Sequence, residues 1–303
     1  MSIFRSFVFL LAILSFSCLF SQTRLNVIID ADTGNEVDDP FALARALLYP
    51  EWNILSLNAA HWQTSHWAVE QSMENSHRLN QVILGYMGRN DIKTRRGAAD
   101  RLYDWGDLIQ HSAAAYEIVK QAKAVAPGEK LTVIALGALT NVASAILLAP
   151  EIEPLLELHW LGTTYDFESA ILRTNDFNCV MDISALDYIL FSDVELHITP
   201  INVAWNLEFD LAEVKQELEG LDPLCNFLIR RWEDHLDGGK KKRVIWDLAL
   251  ITGMIHPEWV KKEKITTSRD NGNKEIYMVR TFDSEKIRTD FYNTLKSAYS
   301  KKD

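Results

Sequence analysis

Leu25-Asn26-Val27-Ile28-Ile29-Asp30 leads straight into Ala31-Asp32-Thr33-Gly34-Asn35-Glu36-Val37-Asp38-Asp39, and from there into Phe41-Ala42-Leu43-Ala44. The first six residues are a largely apolar run of strand length, as expected of a strand covered on both faces in a parallel sheet. Asp39–Leu48 reads as the helix that follows. Further strands are expected at Asn53–Asn58, Gln81–Leu84, Leu131–Leu136 and Glu195–Ile201. Helices are expected at Ser65–Leu79, Leu108–Ala126, Leu139–Leu148 and Ile183–Phe191. Strand and helix alternating at this spacing predict right-handed βαβ crossovers. The fold class is therefore α/β, an open and mostly parallel Rossmann-like sheet flanked by helices. Beyond residue 205 the pattern turns mostly helical. Ile265–Arg280 then resembles a hairpin about Asn271-Gly272, and Ser284–Tyr299 carries Ile287, Phe291, Leu295 and Tyr299 at four-residue spacing, an amphipathic helix.

In an open α/β sheet, ligands bind beyond the carboxyl ends of the strands, and the end of the first strand is the richest in chemistry. Asp30, Asp32, Glu36, Asp38 and Asp39 stand within ten residues, with no Lys or Arg among them. Such carboxylates repel one another unless a positive charge neutralises them. Asp38 and Asp39 open a helix, where acidic residues bond free N–H groups and suit the dipole. Capping accounts for one or two carboxylates but not five. A hard divalent cation with oxygen ligands is the economical neutraliser, and Ca²⁺ tolerates the irregular coordination of such a loop.

The remaining composition narrows the field. The chain has 303 residues, 48% apolar and 24% charged, with three cysteines, which fills a core and excludes a disordered or disulfide-scaffolded chain. Its 31 Lys and Arg against 42 Asp and Glu give a net charge of −11, which argues against nucleic acid as a partner. Lys240-Lys241-Lys242-Arg243 reads as a solvated loop, and Arg95-Arg96 with Asp100 as a polar stretch suited to a lid. Arg5 before the apolar run Phe7–Phe20 matches a secretory signal over residues 1–21, cut between Ser21 and Gln22. The expected product is exported, periplasmic or secreted, and free of the membrane after processing. Cys18 offers a lipoprotein alternative that Phe16, a large residue just before Ser17, disfavours. Residues 22–303 are expected to form one domain, with Cys179 and Cys225 either paired or buried as thiols.

The acidic segment resembles the signature loop of the inosine–uridine preferring nucleoside hydrolase family: Asp-x-Asp, a glycine-containing turn, then Asp-Asp. The turn is two residues longer here. Leu131-Thr132-Val133-Ile134-Ala135-Leu136-Gly137-Ala138-Leu139-Thr140-Asn141-Val142-Ala143 resembles the second motif, with Ala138 where proline is common. Asp176-Phe177-Asn178 resembles a Glu-Phe-Asn segment, and Val244-Ile245-Trp246-Asp247 a late His-Asp pair with tryptophan replacing histidine. The blocks follow the family's order across the chain.

The resemblance implies a site. Asp32, Asp39, Asp247 and the main-chain carbonyl of Thr140 would hold Ca²⁺, and Asp32 would also be the base that activates water. Asp38 would hold a ribose hydroxyl, Asp30 would order the loop from behind, and Asp176 and Asn178 would grip the outer hydroxyls. Gln63 falls on the family's asparagine after the second strand, with His61 nearby. Asn141 would cap its helix. Trp246 would touch the substrate but cannot donate a catalytic proton. That leaves His61, His66 or Asp166 as the leaving-group acid, or stacking by Trp246, Trp62 or Trp205 that eases protonation of the base from solvent. The implied activity is hydrolysis of the N-glycosidic bond of ribonucleosides to ribose and free base. A Ca²⁺-dependent nucleoside or ribose binder without catalysis and a hydrolase of another ribosyl conjugate are the alternatives, and homodimer and homotetramer both stay open.

Overall fold

A computed structural model describes residues 24–103 and 109–300; the expected leader 1–21, with Cys18, and Leu108 lie outside them. The chain runs β1 (Leu25–Ala31), α1 (Asp38–Leu47), β2 (Trp52–Ala59), α2 (Ser72–Tyr86), β3 (Lys93–Arg95), α3 (Ala113–Ala122), β4 (Leu131–Ala135), α4 (Thr140–Leu148) and β5 (Leu156–Leu161). It continues through β6 (Thr164–Asp166), β7 (Ile171–Arg173), α5 (Phe177–Met181), α6 (Ile183–Leu190), β8 (Glu195–Thr199), α7 (Ile201–Ala204), β9 (Glu208–Asp210), α8 (Leu211–Leu218) and α9 (Pro223–Glu233). The last elements are β10 (Lys242–Val244), α10 (Trp246–Ile255), β11 (Val260–Thr266), β12 (Glu275–Phe282) and α11 (Ser284–Tyr299).

Eight strands form one sheet in the order β3-β2-β1-β4-β5-β8-β12-β11, parallel except for the last pair. From β1 the chain winds outward to β2 and β3, then returns to the other side of β1 as β4. The switch point, where a crevice opens in doubly wound folds, thus lies between β1 and β4. Strand β1 is buried on both faces. Val27 and Ile29 join a core with Phe41, Leu43, Ile251 and Phe291 under α1, α10 and α11, while Ile28 joins Val133, Leu158, Trp160 and Ile146 under α3, α4 and α6. Such two-sided cover explains the uninterrupted apolar run.

Several expected elements move. Gln81–Leu84 lies in the second half of α2, not in a strand, and α2 starts at Ser72 instead of Ser65. The buried positions of α2 include Ser72, Ser76 and Asn80, so its inward stripe is polar and its helical period is invisible to apolar spacing. Strand β5 was not anticipated, because Glu157 and His159 interrupt its apolar residues. The helix expected from Leu108 spans only Ala113–Ala122, and Pro200 ends β8 at Thr199. The basic run is no loop throughout: Lys242–Val244 pairs with β9, and buried Arg243 bonds Asp237. Arg95 and Arg96 are pinned, at 2.6 Å each, to Glu117 and Glu74, which does not suit a lid. The hairpin is present, with Gly272 at φ +82° in its turn. Cys179 and Cys225 are both buried free thiols.

The face carrying α1 and α11 is closed by an ion pair. Arg45, 5% exposed, donates from Nε to Asp290 Oδ2 at 2.6 Å and from Nη2 to Oδ1 at 3.2 Å. Removing one partner of such a pair strands the other charge in a poorly solvated place. Asp290→Ala is expected to lower unfolding free energy by about 3–5 kcal/mol, read as a shift in the urea midpoint at unchanged slope.

Candidate active site

The acidic loop leaves β1 at the switch point and is gripped from three sides. From α2, Asn80 Oδ1 accepts from Thr33 Oγ1 at 2.6 Å and Ser76 Oγ accepts from the Gly34 amide at 3.2 Å. From α9, Arg231 donates to the carbonyls of Gly34 and Glu36. From β4, the chain passes so close that a Cβ on Gly137 would stand 2.9 Å from Asp32 Oδ1, so glycine is the residue that fits.

This grip buries the loop's four aspartates almost completely, while Glu36 stays about a third exposed beside Arg243. Asp30, Asp32, Asp38 and Asp39, with Asp247 from the first turn of α10, are each at most 7% exposed. Carboxylate oxygens of Asp38, Asp39 and Asp247 come within 4.8 Å of one another. Asp32 sits close enough to raise the carboxyl pKa of Asp39. Asp32 Oδ2, Asp39 Oδ1 and Asp247 Oδ1 have no hydrogen-bond partner among the described residues. Clustered buried carboxylates, several of whose oxygens lack a partner, are a donor set suited to a hard divalent cation. Two helices, α1 and α10, also begin here and direct the positive ends of their dipoles at the cluster. Of the five, Asp30 stands behind: its Oδ1 accepts from Asn141 Nδ2 at 3.1 Å. Asn141 does not cap α4. It also donates to the Ala59 carbonyl and accepts from the Ala98 amide, tying β1, β2 and α4 together.

A pocket of about 230 Å³ opens over these carboxylates, lined by Asp32, Asp38, Asp39, Asp176, Asn178, Trp246 and Asp247. Gln63 and Thr140 are not among its lining residues. Gln63 Oε1 accepts from the Ser72 amide, while Thr140 Oγ1 donates to Asp182 and meets His61 Nε2 at 2.9 Å. Asp176 is the N-cap of α5: its Oδ1 accepts from the amides of Asn178 and Cys179, and its Oδ2 from Thr163 N at 2.7 Å. A cap requires a short side chain, which gives a physical reason for aspartate at 176. Asn178 spends both amide hydrogens on the carbonyls of Leu136 and Leu161, joining the ends of β4 and β5.

Sequence reasoning assigned no role to Asn35, Glu36, Phe177, Leu136, Leu161 and Ile201, which complete the lining with Trp205. Leu136, Leu161 and Ile201 share one signal, a position just past or at a strand's carboxyl end. Phe177 stacks on Trp67 at 5.2 Å, and Trp67 Nε1 donates to Asn35 Oδ1, forming one wall. Opposite, exposed Trp205 meets Trp246 edge to face at 5.4 Å. None of His61, His66 and Asp166 lines the pocket. His61 is buried and held neutral by that burial, His66 packs on Trp67, and Asp166 is half-buried beside Arg173. Trp62 is core, packed with Ala138 and Met181.

An open α/β fold with a cation-fitting acidic pocket at its switch point is suited to binding a small molecule against a metal ion. Residues 27–289 match the family described as inosine–uridine preferring nucleoside hydrolase, and the chain belongs to that family. It is similar to a probable uridine nucleosidase 2 of Arabidopsis thaliana, 28% identical over 266 residues that cover 77% of this chain and 78% of the relative. A non-specific ribonucleoside hydrolase, RihC, of Salmonella paratyphi A is 23% identical over 77% of this chain and 80% of its own length. Among solved structures, a plant nucleoside hydrolase, PpNRh1, superimposes with a TM-score of 0.67 at 17% identity, covering 90% of this chain and 99% of the other. The protein is a glycosidase of the nucleoside hydrolase class, a metal-dependent family.

The electrostatics predict an inverted pH response in the cation-free protein. Burial pushes the carboxyl group of Asp30 up to about 7, and burial with neighbouring charges pushes Asp38 up to about 7 and Asp32, Asp39 and Asp247 well above the usual range. Between the unfolded value, about 4, and 7 the folded state therefore binds more protons, so stability falls as pH rises through that window. The urea midpoint of chelated protein should drop from pH 5 to pH 7.5. An added divalent cation should reduce the drop, and Asp39→Asn should raise the chelated midpoint at pH 7.5.

Proposed function

We propose that the enzyme hydrolyses the N-glycosidic bond of ribonucleosides at a Ca²⁺ site built from Asp32, Asp39, Asp247 and the main-chain carbonyl of Thr140. The observation that carries this reading is the set of orphaned, buried carboxylate oxygens beneath the pocket. The donors are all oxygen and none is imidazole or thiol, which favours Ca²⁺ over softer metals. When bound, the cation supplies a fixed anchor for the two vicinal hydroxyls of the sugar and lowers the pKa of a water beside the anomeric carbon.

The protein side chains do the rest. Asp32, buried beside Asp38 and Asp39 and lining the pocket, stands where it can take the proton of the attacking water. Asp38 accepts a hydrogen bond from a ribose hydroxyl. As the bond to the base breaks, positive charge grows on the sugar ring, and the surrounding carboxylates stabilise it. Asn178 and Asp176 border the far side of the sugar, and their bonds to strand ends and helix cap hold them rigid.

The departing base lies against Trp246 and Trp205. No histidine lines the pocket among the described residues, so the base takes its proton from solvent, aided by stacking on these indoles.

Release of free base and reducing sugar from a panel of ribonucleosides, with Ca²⁺ and with chelator, tests the reading. Chelation should abolish turnover and Ca²⁺ restore it. Asp32→Asn should lower kcat by about 10²–10⁴-fold and, because Asp32 is also a ligand, raise the Ca²⁺ concentration needed for activity, whereas Trp205→Ala should mainly raise KM. No turnover of any ribonucleoside with Ca²⁺ present would overturn it, and cleavage of nitrophenyl riboside alone would redirect it to other ribosyl conjugates.

A further inference from the structure

The unanticipated strand β5 carries Glu157 and His159, and its neighbour β8 carries Glu195 and His197. The two strands are parallel, with Glu157 opposite Glu195 and His159 opposite His197. Residues two apart point to the same face, so all four side chains share one side of the sheet. The imidazoles stack at 4.4 Å and 20°, and His197 stacks in turn on Tyr277 of β12 at 4.5 Å. His159 Nε2 lies 2.7 Å from Glu157 Oε1, and His197 Nε2 lies 3.8 Å from the same oxygen.

We propose that Glu157, His159 and His197 form a second metal site, separate from the acidic pocket, that takes a late first-row divalent cation such as Zn²⁺. One ligand atom from each of the three lies within 4.8 Å of the other two. His159 is 5% exposed, and His197 Nδ1 is buried without a partner. Burial lowers the proton affinity of both rings, so they are neutral at pH 7 and offer lone pairs. A recess of about 10 Å³ adjoins the two histidines, room for about one water-sized species, its other walls mostly apolar apart from Lys262, Thr199 and Tyr277. Glu157 is about a third exposed, which leaves an entry path.

Two imidazoles and a carboxylate suit Zn²⁺, with water in the fourth position, whereas they suit Ca²⁺ poorly. The acidic loop has the reverse preference, so the two sites sort metals by donor chemistry. Glu195 does not serve as a ligand: its Oε2 bonds Lys130 at 2.7 Å and its Oε1 is 3.0 Å from His197 Nε2, which orients the ring and leaves the partnerless Nδ1 as the nitrogen with a free lone pair. Lys130 and Lys262 are the cations nearest the cluster and set an upper limit on its affinity. Glu157 lies four residues before Leu161, the pocket-lining residue of the same strand, or ~13 Å along it. A cation here would join β5 to β8 beneath the catalytic end of the sheet.

The full chain, stripped by chelation, reloaded with excess Ca²⁺ and titrated with Co²⁺ or Zn²⁺, tests this. One equivalent of Co²⁺ should bind beyond the calcium, with visible bands of a nitrogen-ligated, low-coordinate ion. Glu157→Gln and His159→Gln should each weaken that equivalent at least tenfold, while Asp39→Asn leaves it intact. Because Glu157 is partly exposed, Glu157→Gln keeps its fold, checked by circular dichroism. No bound Co²⁺ beyond the calcium, binding indifferent to both substitutions, or its loss in Asp39→Asn overturns the proposal. None of these outcomes depends on nucleoside turnover, so the proposed activity stands or falls separately.

Discussion

Packing several carboxylates into a nearly dry crevice is the constraint around which this molecule is arranged. Each buried charge disfavours folding unless something positive faces it. The fold supplies partial answers on every side: the N-termini of α1 and α10, the Arg231 guanidinium bridging two loop carbonyls, and hydroxyl and amide groups from α2. None of these touches Asp32 Oδ2, Asp39 Oδ1 or Asp247 Oδ1. The remaining deficit is the driving force for capturing a cation. The same deficit makes the cluster a poor contributor to stability without one, the usual relation between a functional site and the rest of a fold.

The large apolar layers on both faces of the sheet carry the stability that the site does not. They also fix geometry. Because β1, β4, β5 and β8 are parallel neighbours, their carboxyl ends form a single rim, and residues that follow them meet whatever the intervening helices do. Asn178 is the clearest instance, a side chain from α5 that joins the ends of β4 and β5 and thereby sets one wall of the pocket.

Much of this was legible in the chain. The apolar run of β1, the acidic turn and the helix after it identified the sheet and the catalytic end together, because a strand buried on both faces leaves an unmistakable local pattern. Asp247 and Trp246 were legible only through family resemblance, since nothing local links residue 247 to residue 39. What escaped had polar residues on an inward face. In α2, Ser76 and Asn80 face the loop instead of the core, and in β5, Glu157 and His159 pair with each other and with His197 of β8. Apolar periodicity is blind to both. The role of Asn141 was misjudged for a related reason: its position at a helix start suggested a cap, while its partners come from three distant segments.

The amino-acid order by itself determined the α/β class, the strand–turn–helix at the site and an excess of negative charge that asks for a cation. Those properties depend on residues within a dozen positions of each other. Tertiary structure decided which carboxylates converge, that Gln63 and His61 lie outside the pocket lining while Trp205 stands within it, and that two histidines on adjacent strands stack. Such pairings depend on crossover connections that bring positions more than a hundred residues apart to one rim, and no local pattern encodes that distance.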